Sequence, residues 1–223
     1  MTAMSRALIV GASRGIGLEL VRQYRVDGWQ VTATGRSAAA LEQLGSLGAQ
    51  AVELDVAEEH AAKKLADALK SPIDVAVCVA GVMSRGRAQS VPPREEFDRV
   101  MRANVYGAVQ LIPVIAPMVE AAGGRFAFIS SGLGSIAEAD SSGTWLYRIS
   151  KAALNMAVKA AHGDFPRAVF LALSPGWVRT DMGGRDAPVT VEQSVSGLRK
   201  VIASAQRGDS GSFLSYDGRR VAW

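Results

Sequence analysis

Short apolar runs of strand length alternate with amphipathic, helix-like patterns along the whole chain. The runs cover residues 7–10, 30–34, 51–54, 73–79, 125–130, 169–174 and 211–214. Those in the middle are continuously apolar, which is typical of strands buried on both faces of a parallel sheet. The gaps predict helices over residues 15–27, 37–44, 58–69, 94–101, 104–122, 145–162 and 190–205. The pattern predicts an α/β, Rossmann-type fold, with a doubly wound sheet of seven parallel strands and helices on both faces.

Length and charge narrow the class of protein. The 223 residues suffice for one well-buried domain and are few for two. The net charge of +4 comes from scattered basic residues without a zinc-finger or RNA-binding signature, so we expect no nucleic-acid partner. No apolar stretch approaches the roughly 20 residues that span a bilayer, and residues 1–5 do not resemble a secretory signal. We expect a cytoplasmic protein without a membrane partner.

The metal-ligating residue types are sparse. Cys78 is the only cysteine, and it lies in an apolar run, which favours a buried thiol over a reactive one. His60 and His162 are far apart in the sequence and have no companion ligands. We therefore expect no disulfide and no bound metal.

A glycine-rich segment follows the first predicted strand and leads into the first predicted helix. It reads Gly11-Ala12-Ser13-Arg14-Gly15-Ile16-Gly17. Glycines let the backbone turn tightly and approach a ligand closely, while the amides and dipole at a helix N-terminus attract a phosphate. The segment predicts a dinucleotide site.

A second motif lies in the predicted helix over residues 145–162, where Tyr147 and Lys151 are four residues apart. Residues at this spacing share one helix face about 6 Å apart. A nearby cation lowers the pKa of a phenol, so the pair is suited to proton transfer at a carbonyl or alcohol oxygen. An ordinary helix face is the alternative explanation for either residue alone.

Distinctive residues follow six of the predicted strands. They are Gly11, Arg36, Asp55, Ala80-Gly81, Ser130-Ser131 and Pro175-Gly176. Ligands of a doubly wound sheet bind beyond the carboxyl ends of its strands. We expect one large site there, although loops of such sheets are commonly rich in Gly, Ser and Pro.

The G-x-x-x-G-x-G spacing together with the Tyr147/Lys151 pair resembles the short-chain dehydrogenase/reductase family, and the resemblance extends over essentially the whole chain. It implies that Ser131 is the catalytic serine, that Tyr147 donates a proton and that Lys151 also bonds the nicotinamide ribose. Asn104 matches the fourth catalytic position, which supports a water-linked proton path. Ser131 as a turn serine and Asn104 as a helix N-cap are the alternatives.

The resemblance also implies how the cofactor is held. Asp55-Val56 matches the position whose carboxylate accepts a hydrogen bond from adenine, with a helix N-cap as the alternative role of Asp55. Ala80 and Gly81 are the small residues that let the cofactor lie close to the backbone at the end of the fourth strand. Cys78-Val79 replaces the family's usual Asn-Asn. In the segment after the sixth strand, Pro175 and Gly176 turn the chain. The resemblance implies that the Val178 backbone bonds the nicotinamide carboxamide and that the Thr180 hydroxyl lies near the carboxamide or the pyrophosphate.

The end of the second strand decides between NAD and NADP. An acidic residue there would bind the ribose 2′-hydroxyl and repel a 2′-phosphate, but the chain has Gly35 followed by Arg36. A guanidinium binds a phosphate through paired hydrogen bonds. Arg14 matches a second basic position used by NADP-preferring relatives. Either arginine alone could be a surface charge; together they favour NADP, with NAD the less favoured cofactor.

The leading hypothesis is an NADPH-dependent carbonyl reductase acting on a small-molecule ketone or aldehyde. The resemblance is closest to the branch of carbonyl reductases that includes the Sniffer and C-factor proteins. It implies one domain over residues 1–223, with dinucleotide binding up to about residue 100 and catalysis beyond, and a homodimer or homotetramer. We expect residues 138–143 at the mouth of the active site and an open pocket beside the short loop 182–188. The alternative is an NADP-binding regulatory protein with incidental turnover.

Overall fold

A single parallel sheet forms the centre of the protein, whose computed structural model describes residues 4–223. Residues 1–3, part of the polar terminus that we compared with secretory signals, lie outside the described residues. Within residues 4–223 the strands are β1 Arg6–Val10, β2 Gln30–Gly35, β3 Gln50–Glu53, β4 Val75–Cys78, β5 Arg125–Ile129, β6 Val169–Ser174 and β7 Ser212–Ser215. They run in the order β3-β2-β1-β4-β5-β6-β7, and all neighbouring pairs are parallel. This confirms the predicted Rossmann-type sheet.

Helices connect the strands and cover both faces of the sheet. Their bounds are α1 Gly15–Val26, α2 Ala38–Ser46, α3 Ala61–Ala68, α4 Arg94–Met101, α5 Gly107–Val109, α6 Ile112–Ala121, α7 Trp145–Ala161 and α8 Val191–Ser204. None of the helices formed by the described residues combines the length and the apolar character that a bilayer crossing requires.

The core has two halves, one on each face of the sheet. Alternate residues of a strand point to opposite faces, and in β1 Leu8 packs into one apolar cluster while Ile9 packs into the other. Helices α3, α6 and α7 cover the first cluster, and α1, α2 and α8 cover the second. Burial on both faces explains why the central strands read as continuous apolar runs.

The predicted helix over residues 104–122 is wrong as a single element. The chain from α4 continues through a π-helical turn, Arg102–Tyr106, into the short α5, and α6 then starts anew at Ile112. Pro113 occupies the first turn of α6. Proline lacks an N–H and is best accommodated in the first turn of a helix, so Pro113 favours a new helix start here, although α6 also accommodates Pro117 in its interior.

The predicted start of the third helix at residue 58 is also wrong, since α3 begins at Ala61. A turn precedes it, in which the Asp55 carboxylate accepts a hydrogen bond from the Ala57 N–H at 2.9 Å. Gln110 bonds the same turn from the other side, donating to the carbonyls of Val56 at 2.8 Å and Glu58 at 3.0 Å. These tertiary contacts hold residues 55–60 in a turn, although the residues there allow a helix.

Candidate active site

The glycine-rich loop between β1 and α1 has the backbone that only glycine allows. Gly11 and Gly15 have φ of 87° and 53°, a region that residues with side chains rarely adopt. A Cβ atom on Gly11 would lie 2.7 Å from the Ala80 nitrogen, and one on Gly17 would lie 2.1 Å from the Gly11 oxygen. The loop is therefore pressed against the end of β4 at Gly11, and there is no room for a side chain at Gly11 or Gly17. This small, amide-lined surface fits the phosphates of a dinucleotide.

The remaining residues of the glycine-rich loop face different surroundings. Ser13 is exposed, and Ile16 is half-buried against the apolar cluster beneath α1. Arg14 forms an ion pair with Asp181 at 2.7 Å, in which both side chains are 74% exposed. The segment after β6 therefore reaches back to the glycine-rich loop.

At the end of β2, Arg36 pairs with Asp55 at 3.3 Å. The Arg36 side chain is 69% exposed. Asp55 also accepts from the Ala57 N–H within the turn before α3, so its alternative role as a helix N-cap is wrong, because the N-cap of α3 is His60. Val56 is buried against Gly107. Arg14 and Arg36 thus contact different carboxylates, and the structure does not bring the two guanidinium groups onto a common partner.

The end of β4 lies beside two of the predicted catalytic residues. A Cβ atom on Gly81 would lie 3.2 Å from Asn104 Oδ1 and 3.4 Å from Lys151 Nζ. Cys78 is buried, as predicted, and burial raises the pKa of its thiol to about 11. Among the described residues, no three His, Cys, Asp or Glu side chains form a cluster that could hold a metal ion.

Asn104 lies in the π-helical turn and is 1% exposed. Its side-chain amide forms two hydrogen bonds with the backbone of Val82. The Asn104 Oδ1 accepts from the Val82 N–H at 2.7 Å, and the Asn104 Nδ2 donates to the Val82 carbonyl at 2.9 Å. The Asn104 amide also donates to the Ser150 hydroxyl at 2.9 Å. The π-turn, a feature frequent at functional sites, thus connects the loop after β4 with α7.

Ser131 and Tyr147 meet at the end of β5. Ser131 caps the 3₁₀ turn Gly132–Gly134, accepting from the Leu133 N–H at 3.2 Å. Tyr147 is buried, and this burial raises the pKa of its phenol to about 12, while a hydrogen bond with Ser131 acts in the opposite direction. The phenol therefore keeps its proton at neutral pH, as a proton donor must.

Lys151 is 3% exposed and bonds the Ile129 carbonyl at 2.8 Å. Its Nζ lies 5.7 Å from the centre of the Tyr147 ring, and burial lowers the pKa of its ammonium to about 8. In this arrangement the ammonium bonds the β5 carbonyl, and burial dominates the pKa of the phenol. The lowering of the Tyr147 pKa by Lys151 stays a prediction.

Two buried polar residues of α7 were not predicted from the sequence. Asn155 accepts from the Ser130 hydroxyl at 2.6 Å and donates to the Gly134 carbonyl at 3.2 Å, so it holds the backbone on either side of Ser131. Ser150 donates to the Tyr147 carbonyl at 2.8 Å. Tyr147, Lys151 and Asn155 follow one another at intervals of four residues, and this repeat is the signal that could have revealed Asn155.

The segment after β6 turns as predicted. Gly176 has φ of 80°, and a Cβ atom there would lie 2.8 Å from the Tyr216 ring. Pro175 accepts a hydrogen bond from the buried Ser194 hydroxyl at 2.7 Å. Val178 is buried, and Thr180 accepts from the Gly183 N–H at 3.0 Å. Residues 182–188 form a short loop of turns.

These features define the class of protein as a Rossmann-fold oxidoreductase, in which a glycine-rich loop and a buried Tyr/Lys pair share one edge of the sheet. The family model described as short chain dehydrogenase matches residues 5–188. The chain belongs to this short-chain dehydrogenase/reductase family.

Among curated relatives, the chain is 36% identical over 155 residues to the C-signal of Myxococcus xanthus, across 68% of this chain and 93% of that protein. Among solved structures, the carbonyl reductase Sniffer of D. melanogaster is similar at 28% identity and a TM-score of 0.90, covering 99% of this chain and 100% of the other. NADPH-bound carbonyl reductase from chicken fatty liver is similar at 29% identity and a TM-score of 0.90, covering 99% of both chains. These likenesses bear out the predicted branch.

Proposed function

We propose that this protein is an NADPH-dependent carbonyl reductase that converts a small ketone or aldehyde to an alcohol. The observation that carries the proposal is the buried Tyr147 phenol, which keeps its proton and lies beside Ser131 at the edge where the glycine-rich loop ends. Dinucleotide binding is assigned to residues up to about 100 and catalysis to the rest. NADPH-bound and NADP-bound carbonyl reductases among the structural relatives support the choice of cofactor.

Each catalytic side chain has a role that follows from its position. The Ser131 hydroxyl donates a hydrogen bond to the substrate oxygen and stabilises the charge that develops there. Tyr147 then delivers its proton to the same oxygen. Lys151 replaces that proton from its own ammonium, and Asn104 keeps the adjoining turn in place. Bound NADPH would supply the hydride for the carbonyl carbon.

The preference for NADP rests on the residues at the border of the site, Arg14, Gly35 and Arg36, which we call the cofactor rim. Gly35 leaves no carboxylate to repel a 2′-phosphate, and Arg36 follows it directly. The ion pairs of Arg36 with Asp55 and of Arg14 with Asp181 are exposed. Exposed pairs stabilise a protein by only about 0–1 kcal/mol, so a phosphate can replace either carboxylate as the partner of a guanidinium.

The proposal includes a cytoplasmic homodimer or homotetramer. Helices α4, α5 and α7 and the turn between α4 and α5 expose large apolar side chains, with Met156 67% and Tyr106 40% exposed. The others on these elements are Phe97, Val109 and Ile149. Burying such side chains against a second copy is favourable by roughly 25 cal/mol per Å².

The second candidate function is that of an NADP-binding signalling protein with incidental turnover. Its support is the likeness to the protein named C-signal. The intact Ser131, Tyr147 and Lys151 set favours the enzyme, because a binding module gains nothing from a proton donor at this edge.

The experiment measures NADPH oxidation against a panel of quinones, diketones, aldehydes and ketones. Tyr147→Phe removes only the hydroxyl, and we expect kcat to fall by about 10²–10⁴-fold with the fold retained. Tyr24→Phe is the matched control. Tyr24 lies in the last turn of α1, outside the proposed catalytic set, and burial raises the pKa of its phenol to about 12 as well. Absence of turnover on every compound, with NADPH bound, would favour the signalling candidate.

A further inference from the structure

The segment that joins Ser131 to Tyr147 is anchored at two places. Its first half contacts the end of the chain, where the Ser135 hydroxyl donates to the Ala222 carbonyl at 2.7 Å and the Ala137 N–H donates to the Trp223 oxygen at 2.9 Å. Its second half, residues 138–144, is called the mouth loop here. Glu138 to Ser141 of this loop are exposed. Glu138, at the start of the mouth loop, also bonds the Ser135 hydroxyl through its N–H at 3.0 Å and pairs with Arg219 at 3.7 Å. Neither of these contacts reaches residues 140–144.

Arg148 provides that anchor from the first turn of α7. Its Nε donates to the Gly143 carbonyl at 2.9 Å, and its Nη2 lies 3.4 Å from Asp140 Oδ1 and 3.5 Å from Ser141 Oγ. The Arg148 side chain is only 15% exposed, whereas Asp140 is 85% exposed. The short, shielded bond to Gly143 consequently contributes more than the exposed ion pair.

The backbone at this anchor has an unusual conformation. Thr144 has φ of 56°, the one positive value for a non-glycine residue among residues 4–223. A β-branched residue adopts this region only where its surroundings hold it. The Thr144 hydroxyl bonds the Gly143 carbonyl at 2.6 Å, the same oxygen that Arg148 binds, and the Arg148 N–H bonds the Thr144 carbonyl at 3.0 Å. Arg148 thus holds both sides of the strained residue.

This anchor borders the proposed active site on two sides. Tyr147 directly precedes Arg148, and the Trp145 N–H donates to the Gly86 carbonyl at 3.1 Å. Gly86 belongs to the loop that begins at Gly81, where a Cβ atom would lie 3.4 Å from Lys151 Nζ. The mouth loop is therefore connected to Tyr147 through α7 and to the loop after β4 through Trp145, so a shift of the mouth loop would reach both sides of the proposed active site.

We propose that Arg148 is a positioning residue that docks the mouth loop onto the catalytic helix and thereby sets the selectivity of the site for large over small carbonyl substrates. The proposal rests on the carbonyl reductase function above. Arg148 does not touch the reacting oxygen; it acts through Gly143 and Thr144. A guanidinium suits this task because its planar fork can reach the Gly143 carbonyl and the Asp140 carboxylate together, which a lysine ammonium cannot do.

The test compares Arg148→Met and Arg148→Lys with the control Arg94→Met, which removes an exposed arginine paired with Asp98 on α4. Kinetics are measured with a small aldehyde and a bulky aromatic ketone, and amide hydrogen exchange is followed in residues 138–144. For Arg148→Met we expect the KM of the bulky ketone to rise about tenfold, equivalent to one lost hydrogen bond. The kcat values, the KM of the small aldehyde and the affinity for NADPH should stay within about twofold.

Exchange in residues 138–144 should become faster in Arg148→Met, Arg148→Lys should restore at most part of the protection, and Arg94→Met should behave as the unaltered protein. Equal losses on both substrates, or unchanged exchange in the mouth loop, would overturn the proposal. Hydrogen exchange needs no turnover, so it tests the docking separately. Failure of the unaltered enzyme to reduce any carbonyl would instead refute the proposed function.

Discussion

The catalytic edge of the site and its cofactor rim use polar side chains in opposite ways. At the catalytic edge Asn104, Lys151 and Asn155 are 1–3% exposed, and each bonds the protein backbone. At the rim Arg14 and Arg36 have side chains that are 74% and 69% exposed, and each bonds another side chain. Geometry is thus fixed where we propose that a proton is delivered and adaptable where we propose that the charged cofactor binds.

The difference has an energetic reason. Leaving a buried polar group without a partner costs about 1–3 kcal/mol, whereas breaking an exposed ion pair costs about 0–1 kcal/mol. Changes at the catalytic edge should therefore affect both stability and rate. Changes at the rim should affect cofactor choice and leave the fold intact.

Gly134→Ala should have the largest effect, because it disturbs the buried packing beside Lys151. Gly134 packs so closely on α7 that a Cβ atom there would lie 2.8 Å from the Lys151 Cβ and 2.9 Å from its carbonyl carbon. We expect a loss of about 1–3 kcal/mol in the free energy of unfolding from overpacking. Displacement of Lys151 should lower kcat/KM by about 100-fold. Urea unfolding and steady-state kinetics measure the two effects.

Gly208→Ala is the matched control for this variant. Gly208 also lies in a 3₁₀ turn, Arg207–Asp209, but a Cβ atom there would meet nothing within 4 Å. It should leave stability and rate unchanged. Equal behaviour of the two variants would show that the packing of Gly134 on Lys151 is unimportant.

The rate of carbonyl reduction should depend on pH through the protonation of Lys151 and Tyr147. Burial lowers the pKa of Lys151 to about 8 and raises that of Tyr147 to about 12. Below pH 8 both groups carry their protons; above it Lys151 loses its proton first and cannot restore that of Tyr147. We expect kcat/KM for reduction to be level below about pH 8 and to fall about tenfold per unit above it.

A pH–rate profile with the same carbonyl from pH 6 to 10 checks this prediction. Lys159→Met, which removes a lysine of the same helix outside the site, should leave the profile unchanged. A rate that stays level to pH 10 would show that Lys151 does not restore the proton of Tyr147.

The smallest effect is expected at the rim. Because the side chain of Arg36 is 69% exposed and Arg14 remains available for a phosphate, Arg36→Ala should weaken NADPH binding about fivefold, or about 1 kcal/mol. NADH binding should not change, and the free energy of unfolding should stay within about 0.5 kcal/mol. Titration calorimetry with both cofactors provides the measurement, with Arg94→Ala as the control. Equal losses for NADH and NADPH would contradict the phosphate role.

The sequence predicted the sheet well because strands buried on both faces must be apolar throughout, and the seven strands lie within about two residues of their predicted positions. It predicted helix bounds poorly where tertiary contacts decide them. Gln110 holds the turn before α3 through a contact that leaves no periodic pattern. The break in the helix predicted over residues 104–122 has a local signal instead, Pro113, which the apolar periodicity overrode.

At the candidate site, too, the sequence did not reveal the contacts between residues that are far apart in the chain. Motif spacing brought Tyr147 and Lys151 to one helix face, but it could not show that Lys151 bonds the Ile129 carbonyl. Asn155 was missed because its partner Ser130 is 25 residues away in the sequence. The anchoring of Gly143 by Arg148 depends on a left-handed residue, Thr144, whose type gives no warning of that conformation.

The most direct test of the account is the transfer of deuterium from NADPH labelled at the nicotinamide C4 to a carbonyl compound. The unaltered protein should place the label on the carbinol carbon of the product, and Tyr147→Phe should do so about 10²–10⁴-fold more slowly. Binding of NADPH without label in any alcohol product, or equal transfer by Tyr147→Phe, would contradict the claim that this edge of the sheet reduces a carbonyl with Tyr147 as proton donor.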